Sequence, residues 1–322
     1  LALSDRALTS EERAALALGA DATGGYAVPF TLDPTVILTN DGSVNPLRQV
    51  ARVESIVNKS WHGVTSAGVT VSRGAEASRV TESDPTLGGP VVTPSRVTGF
   101  VAYSDEIEED WNALSSEVTM MLQDAKDTEE AESFVTGDGT ANAGSGSEPG
   151  GLISTLSDSS LVYATSEGEL ALADLYDLED ALPARFRNAN AVALANKTIF
   201  NKIKQLASAE AALAGDVWVR LSAGQPPELI GYSAYELSTM DSNLADGGSV
   251  LLLGDLKRGF IIVDRIGMSV ELVPHLFQQQ TAGSGYGLPT GQRGLLAIWR
   301  NSSKVLVDNA IRVLSTDAEP SA

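Results

Sequence analysis

Cysteine is absent from all 322 residues, which excludes disulfides, thiolate metal sites and a cysteine nucleophile. There are two histidines, His62 and His275. They are far apart and stand in no HExxH or HxH context, so each reads as a structural or surface residue rather than a metal ligand. No GxSxG elbow is present, so a serine-hydrolase triad has no anchor. Positive charge is scarce: 22 Lys and Arg stand against 42 Asp and Glu, for a net charge of -20. A protein that grips nucleic acid by neutralising phosphates carries a basic stripe, and none is visible. No apolar run approaches the roughly eighteen residues of a membrane span. The longest, Val250-Leu-Leu-Leu253 and Phe260-Ile-Ile-Val263, are strand-sized. The start, Leu1-Ala-Leu-Ser-Asp-Arg6, lacks a basic leader followed by an apolar stretch and does not read as an intact signal peptide; a trimmed or processed N-terminus is the expectation.

What is present is a globular composition, 43% hydrophobic and 20% charged, enough for a core in one large or two ordinary domains. Thr9-Ser-Glu-Glu12 fits a capping box for a short helix to Leu18. Scattered Gly, Pro and Asn over 20–50 then read as an extended arm. Residues 51–103 read as a hairpin whose strands, Val64–Ser72 and Val97–Tyr103, flank a polar tip bearing Arg73, Glu76, Arg79, Glu82 and Asp84. A lone two-stranded hairpin is marginal in water, so it needs something to pack on.

Residues 104–136 carry the clearest periodicity. Ile107, Trp111, Leu114, Val118, Met121 and Ala125 recur at steps of three and four behind a Ser104 or Asp105 cap. The pattern predicts one helix of about thirty residues, roughly 45 Å long. Residues 105–132 hold eleven acidic residues against one lysine, half of the excess charge. Beyond Glu169, helices and strands interleave. Helices are expected over Leu170–Asn188, with Pro183 as a stop or kink, and over Lys197–Ser208 behind the cap Asn196. Strands are expected at Val192–Ala195, Glu228–Leu237, Ser249–Gly254, Ile261–Arg265, Met268–Pro274, Gly294–Trp299 and Lys304–Leu314. The class is α+β.

The passage TGDGTANAGSGSEPGGLI, Thr136 to Ile153, invites a phosphate-binding reading. It has no lysine, so GxxxxGK[ST] fails. It follows a helix rather than a strand and continues Gly137-Asp-Gly139 with Thr, Ala and Asn, so GxGxxG fails as well. It reads as a glycine-rich, helix-terminating connection.

The order of these parts resembles the mature major capsid protein of tailed bacteriophages with the Hong Kong 97-like fold. The resemblance rests on Gly24-Gly-Tyr-Ala-Val-Pro29 in the arm and on a hairpin leading into a long acidic helix. It continues with Phe134-Val-Thr-Gly-Asp-Gly-Thr140 followed by Glu148-Pro-Gly-Gly-Leu-Ile153, then Ala191-Val-Ala-Leu-Ala-Asn196 before a helix, and Gly254-Asp-Leu-Lys-Arg-Gly-Phe260. It implies an N-terminal arm (1–50), an extended loop over a neighbouring subunit (51–103), and a peripheral domain with a spine helix (104–153). An axial domain (154–270) and peripheral return strands (271–322) would follow, with a loop at 278–293 near threefold axes. It implies a shell of pentamers and hexamers around double-stranded DNA, with portal and cement or decoration proteins as possible partners. It also implies assembly in the host bacterial cytoplasm, residence in the virion capsid, no membrane, no cofactor and no catalytic residues.

On that reading Trp61, Arg73, Glu76, Arg79, Glu82, Glu108, Glu109, His275, Gln279 and Arg293 are candidate contacts between subunits. The Lys–Asn crosslink of some relatives is not expected. The extended loop holds only Lys59, near its base, and 275–294 holds no Asn, only Gln278, Gln279, Gln280 and Gln292. The nearest alternative is an encapsulin shell, which encloses an enzyme cargo. A more distant one is a metal-dependent hydrolase using Asp105, Glu108 or Glu109.

Overall fold

The computed structural model describes residues 38–73, 79, 82–110, 114–139, 141–142, 146–188, 190–209, 218–219, 227–244, 248–277 and 289–317. Two large sheets organise them. The first has four strands in the order Arg52–Ser55, Phe260–Val273, Gln292–Val305 and Ser95–Ser104. Its three long members run antiparallel, and the short edge strand lies parallel to Phe260–Val273. Because side chains alternate along a strand, Gln292–Val305 turns Leu295, Ala297 and Trp299 to one face and Leu296 and Ile298 to the other. Helix Leu114–Thr136 covers the first face, with Leu114, Val118 and Leu122 packed on Tyr103, Leu295, Ala297 and Trp299.

The second sheet has seven strands in the order Trp218–Val219, Glu228–Leu229, Tyr232–Glu236, Val192–Ala195, Ser249–Gly254, Ile311–Ser315 and Leu161–Tyr163. Its central strands Val192–Ala195 and Ser249–Gly254 run apolar residues without alternation because both faces are buried. Helices Leu172–Ala181 and Lys197–Ala209 bring Leu175, Leu178, Ile199 and Ile203 into this core. Asn196 caps the latter by accepting from the Thr198 N–H at 3.0 Å. The turn Ile230-Gly231 has φ of 50° and 77°, both positive, as a two-residue hairpin between Glu228–Leu229 and Tyr232–Glu236 requires. Phe134, Phe260, Ile262 and Val305 join the same core, so the long helix and the four-stranded sheet share it with the seven-stranded one.

Several expectations need correction. Ser95–Ser104 does not pair with Val64–Ser72; it joins Gln292–Val305 over ten residue pairs, which buries one face under the helix. Among its described residues the loop keeps two short ladders, Trp61–His62 with Val91–Val92 and Thr65–Ser66 with Leu87–Gly88. The expected single helix is described as Asp105–Asp110 and Leu114–Thr136. Its buried line runs through Leu122, whereas Ile107 and Ala125 face outward. The helix over Leu170–Asn188 ends at Ala181, two residues before Pro183. Ile311–Ser315 belongs to the seven-stranded sheet and Phe260–Val273 to the four-stranded one, so sheet membership crosses the sequence boundary at 270. The helix expected at Glu11–Leu18, the arm as far as residue 37 and the loop 278–288 lie outside the described residues.

Candidate assembly surfaces

Three features could serve a shell: the attachment of the last part of the arm, the end of the long helix, and the extended loop. The first is a charge cluster that the sequence reading missed. Short helix Leu47–Val50 presents Arg48 to two carboxylates at once. Its Nε and Nη2 donate to Glu130 Oε2 and Oε1 at 2.8 and 2.9 Å, and Nη1 and Nη2 donate to Asp264 Oδ2 and Oδ1 at 2.7 and 3.1 Å. Lys126 Nζ lies 2.8 Å from Glu130 Oε1, and Asn301 Nδ2 donates to the same oxygen at 2.8 Å. The Arg48 guanidinium also stands 5.8 Å from the centre of the Phe134 ring. Arg48 and Glu130 together thus tie the short helix, the long helix and the two longest strands, Glu130 reaching Asn301 and Arg48 reaching Asp264. Burial alone would push its carboxyl up; hydrogen bonds and charge from Arg48 and Lys126 outweigh that and hold it below the ordinary carboxylate range. The available signal was Glu130 itself, an acid eight positions after Leu122 on the inward stripe.

Glu129 is the opposite case. Burial pushes its carboxyl up, the neighbouring Glu130 charge adds to that, and Oε2 has no hydrogen-bond partner. A raised folded value means a stability penalty that is full at pH above that value and absent below the unfolded value. Glu129→Gln is therefore expected to raise stability at pH 7, with the gain shrinking as pH falls toward the ordinary carboxylate range. Urea midpoints of both proteins measured across that pH range check this, and an unchanged or lowered midpoint at pH 7 contradicts it.

The glycine-rich passage closes the helix. A helix leaves its last carbonyls without intrahelical partners. Here Leu152 N–H donates to Phe134 O at 2.8 Å, Ile153 N–H to Val135 O at 3.0 Å and Gly151 N–H to Gly137 O at 2.6 Å. Gly150 N–H donates to Ser303 O at 2.9 Å, and the Ser303 hydroxyl returns a 2.9 Å bond to Gly150 O. The Ser154 hydroxyl donates to Gly137 O as well. The passage is a backbone clasp between helix and sheet, as the failed phosphate motifs anticipated.

The extended loop is the most exposed apolar element described. Val57, Val64, Val69, Val71 and Leu87 are 62–91% exposed. Among its described residues the base packs on the sheet: Trp61 and Val92 cover Ile261 and Val263, and Arg52 stands 5.8 Å over the Trp61 ring.

The sequence-derived contact candidates divide accordingly. Trp61 is half-buried, packed within the chain beside Val92, Ile261 and Val263. Arg293 and Glu108 meet each other: the Arg293 Nη1–H donates to Glu108 Oε2 at 2.9 Å and Nε lies 2.8 Å from Asp105 Oδ1. This pair anchors the first helical turn to the four-stranded sheet. Arg73, Arg79, Glu82 and His275 are exposed. Glu76, Gln279 and the Glu109 side chain lie outside the described parts. Among the described residues no three Asp, Glu or His side chains converge on a possible metal position, and no helix is long and apolar enough to cross a membrane.

Comparison with known proteins agrees with this architecture. A family model described as "Phage capsid family" matches residues 24–316. Among solved structures, the capsid of a native GTA particle superposes with a TM-score of 0.71 at 21% identity, covering 92% of this chain and 98% of that one. The structure of Mycobacterium phage Adephagia gives 0.64 at 12% identity, covering 94% and 99%. A holo-SrpI encapsulin complex from Synechococcus elongatus PCC 7942 gives 0.62 at 14%, covering 92% and 95%. No curated protein matches the sequence.

Proposed function

The chain belongs to the phage capsid family and is a structural, non-enzymatic major capsid protein of the Hong Kong 97-like fold; from that premise we propose how it builds its shell. The subunits associate as pentamers and hexamers and close into an icosahedral shell around double-stranded DNA. Assembly takes place in the host cytoplasm, and portal and decoration proteins complete the particle. The four-stranded sheet with the long helix serves as the peripheral domain and the seven-stranded sheet as the axial domain at capsomer centres.

The observation that carries this reading is the extended loop. Two ladders of two pairs each do not hold a hairpin in water, and its valines and Leu87 are exposed. A neighbouring subunit supplies the missing burial, and closed symmetry repeats that contact at every subunit. The net charge of -20 suits a container that holds DNA without adhering to it.

Electron microscopy of the purified protein, with light scattering, tests the reading. Icosahedral shells or uniform pentamers and hexamers are expected; a persistent 33.6 kDa monomer under assembly conditions would overturn it. DNA inside the particles supports the phage reading, whereas an enzyme cargo favours the encapsulin one. With Lys59 the loop's one lysine and no Asn in 275–294, denatured particles should run as a single 33.6 kDa band; a ladder of multiples would show a covalent crosslink.

A further inference from the structure

The four-stranded sheet brings together positive charges that lie far apart in the sequence. Side chains alternate along its strands. Val97 and Val101 pack inward with Leu295, Ala297 and Trp299, so Arg96 and Arg300 turn to the opposite, outward face. They are direct cross-strand partners. On the other side of Arg300 the register shifts between Asp264 and Ile266, and Ile266 takes Arg300 as its partner. Arg265 is therefore the extra residue of a bulge and stands beside Arg300. Three arginines on three neighbouring strands form one row, about 10 Å long at the usual strand spacing.

No carboxylate answers this row. Among the described residues none of the three arginines takes part in an ion pair, and Arg300 Nε is buried without a hydrogen-bond acceptor. The outward neighbours along the strands, Thr98, Ile298 and Ser302, are uncharged. Asp264 points the other way, to Arg48. Glu54, on the edge strand, is already held by Arg52 at 2.9 Å. Like charges placed opposite one another in a sheet are destabilising. A chain of net charge -20 that nonetheless gathers three unpaired cations here leaves a place for an anion from outside.

The guanidinium decides which anion. Its planar fork donates two parallel N–H bonds to an oxyanion, and phosphate matches it well. Three forks in a row suit several oxygens spread along one small molecule. A long polyanion such as DNA would run past the row onto an acidic surface, where Glu54 and Glu271 share the face opposite Val263 and Leu296 and the chain as a whole repels it. A compact multivalent anion meets the row alone. We propose that Arg265, Arg300 and Arg96 form a binding site for a compact phosphate anion of the di- or triphosphate kind, laid across the three strands. Bound there, it cancels the repulsion within the row and gives Arg300 Nε its missing acceptor. The site does not depend on the shell reading, since all three arginines belong to one subunit.

Tripolyphosphate titrated into unassembled subunits of the full chain tests this, with sodium chloride at matched ionic strength as the reference. A saturable rise in thermal midpoint of about 5 °C beyond the chloride reference is expected. Arg96→Gln removes an exposed member of the row and should weaken binding about tenfold by calorimetry, the loss of one charge-assisted contact. Without ligand this variant should be no less stable than the unmodified protein, because a like-charge contact is relieved. Arg96→Gln/Arg265→Gln should abolish binding. Arg185→Gln, at an exposed arginine in the turn after helix Leu172–Ala181, should bind as the unmodified protein does. No saturable binding, or binding that survives in the double variant, overturns the site. A single-stranded oligonucleotide that binds the row more tightly than tripolyphosphate overturns the choice of a compact anion.

Discussion

Replacing Glu130 with Ala is expected to lower the stability of the folded subunit by about 3 kcal/mol, the low end of the range for breaking a buried ion pair. The reason is what remains behind. Glu130 is 2% exposed, and its two oxygens hold Arg48, Lys126 and Asn301. Without it, Lys126 and the Asn301 amide lose their acceptor, and Arg48 retains only Asp264. The low end applies because the Arg48 side chain is 33% exposed and water can rehydrate part of it.

Glu130→Gln is expected to cost less, since the amide oxygen still accepts one bond, but it abolishes the charge term. The pH dependence follows in sign. The folded-state carboxyl lies below its unfolded value, so its contribution is present above the unfolded value and is lost as pH falls through the folded one. Unmodified protein and Glu130→Ala should therefore differ most near neutrality and converge in acid. Denaturant melts of unassembled subunits at several pH values read this directly; a constant difference down to strongly acidic pH would show that the ion pairs are not its source. The short helix carrying Arg48 should also lose hydrogen-exchange protection in the variant, because Glu130 is its main polar tether to the long helix.

The second large effect is expected at the glycine clasp. A Cβ on Gly151 would lie 2.6 Å from the carbonyl oxygens of Gly137 and Val135 and from Ser154 Oγ. Two of the three are backbone, so no side-chain rotation relieves the clash. Gly151→Ala must push the 149–153 segment off the helix end and weaken the bonds that Leu152 and Ile153 donate to Phe134 O and Val135 O. Overpacking costs about 1–3 kcal/mol even where side chains can shift; loss of the terminal cap adds to it, so the total should reach or exceed the top of that range. For a chain of this size each kcal/mol moves the thermal midpoint by about 2–4 °C, so a fall of roughly 6 °C or more is expected. Gly89→Ala is the control: its backbone lies outside the positive-φ region and its Cβ would meet nothing within 4 Å. A Gly151→Ala midpoint within a degree or two of the unmodified protein would mean that the clasp yields easily and does not hold the helix end.

Much of this organisation was legible in the chain because it is written in local periodicity. Val192–Ala195 and Ser249–Gly254 are short apolar runs that match their strands residue for residue, since a strand buried on both faces needs no alternation. The helix from Lys197 starts where Asn196 can cap it. The glycine passage failed every phosphate template because it serves as a backbone clasp. The order of these signals also carried the family resemblance.

Pairing was not legible. Ser95–Ser104 has a strand pattern, but whether it joins the neighbouring loop or a partner two hundred residues away depends on which pairing buries its inward face, and that is settled by Leu114, Val118 and Leu122 on the helix above. The charged tether could not be read either. Arg48, Glu130, Asp264 and Asn301 are each ordinary polar residues in their own segments; three elements must fold together before the Glu130 carboxylate meets two cations and an amide, and a fourth brings Asp264 to Arg48. Arg96 and Arg300 became neighbours in the same way, through strand register. The amino-acid sequence determined the elements, the charge balance and the chemistry that is missing. The tertiary structure alone decided which charges are satisfied within the subunit and which remain open, because that depends on distances between residues far apart in the chain.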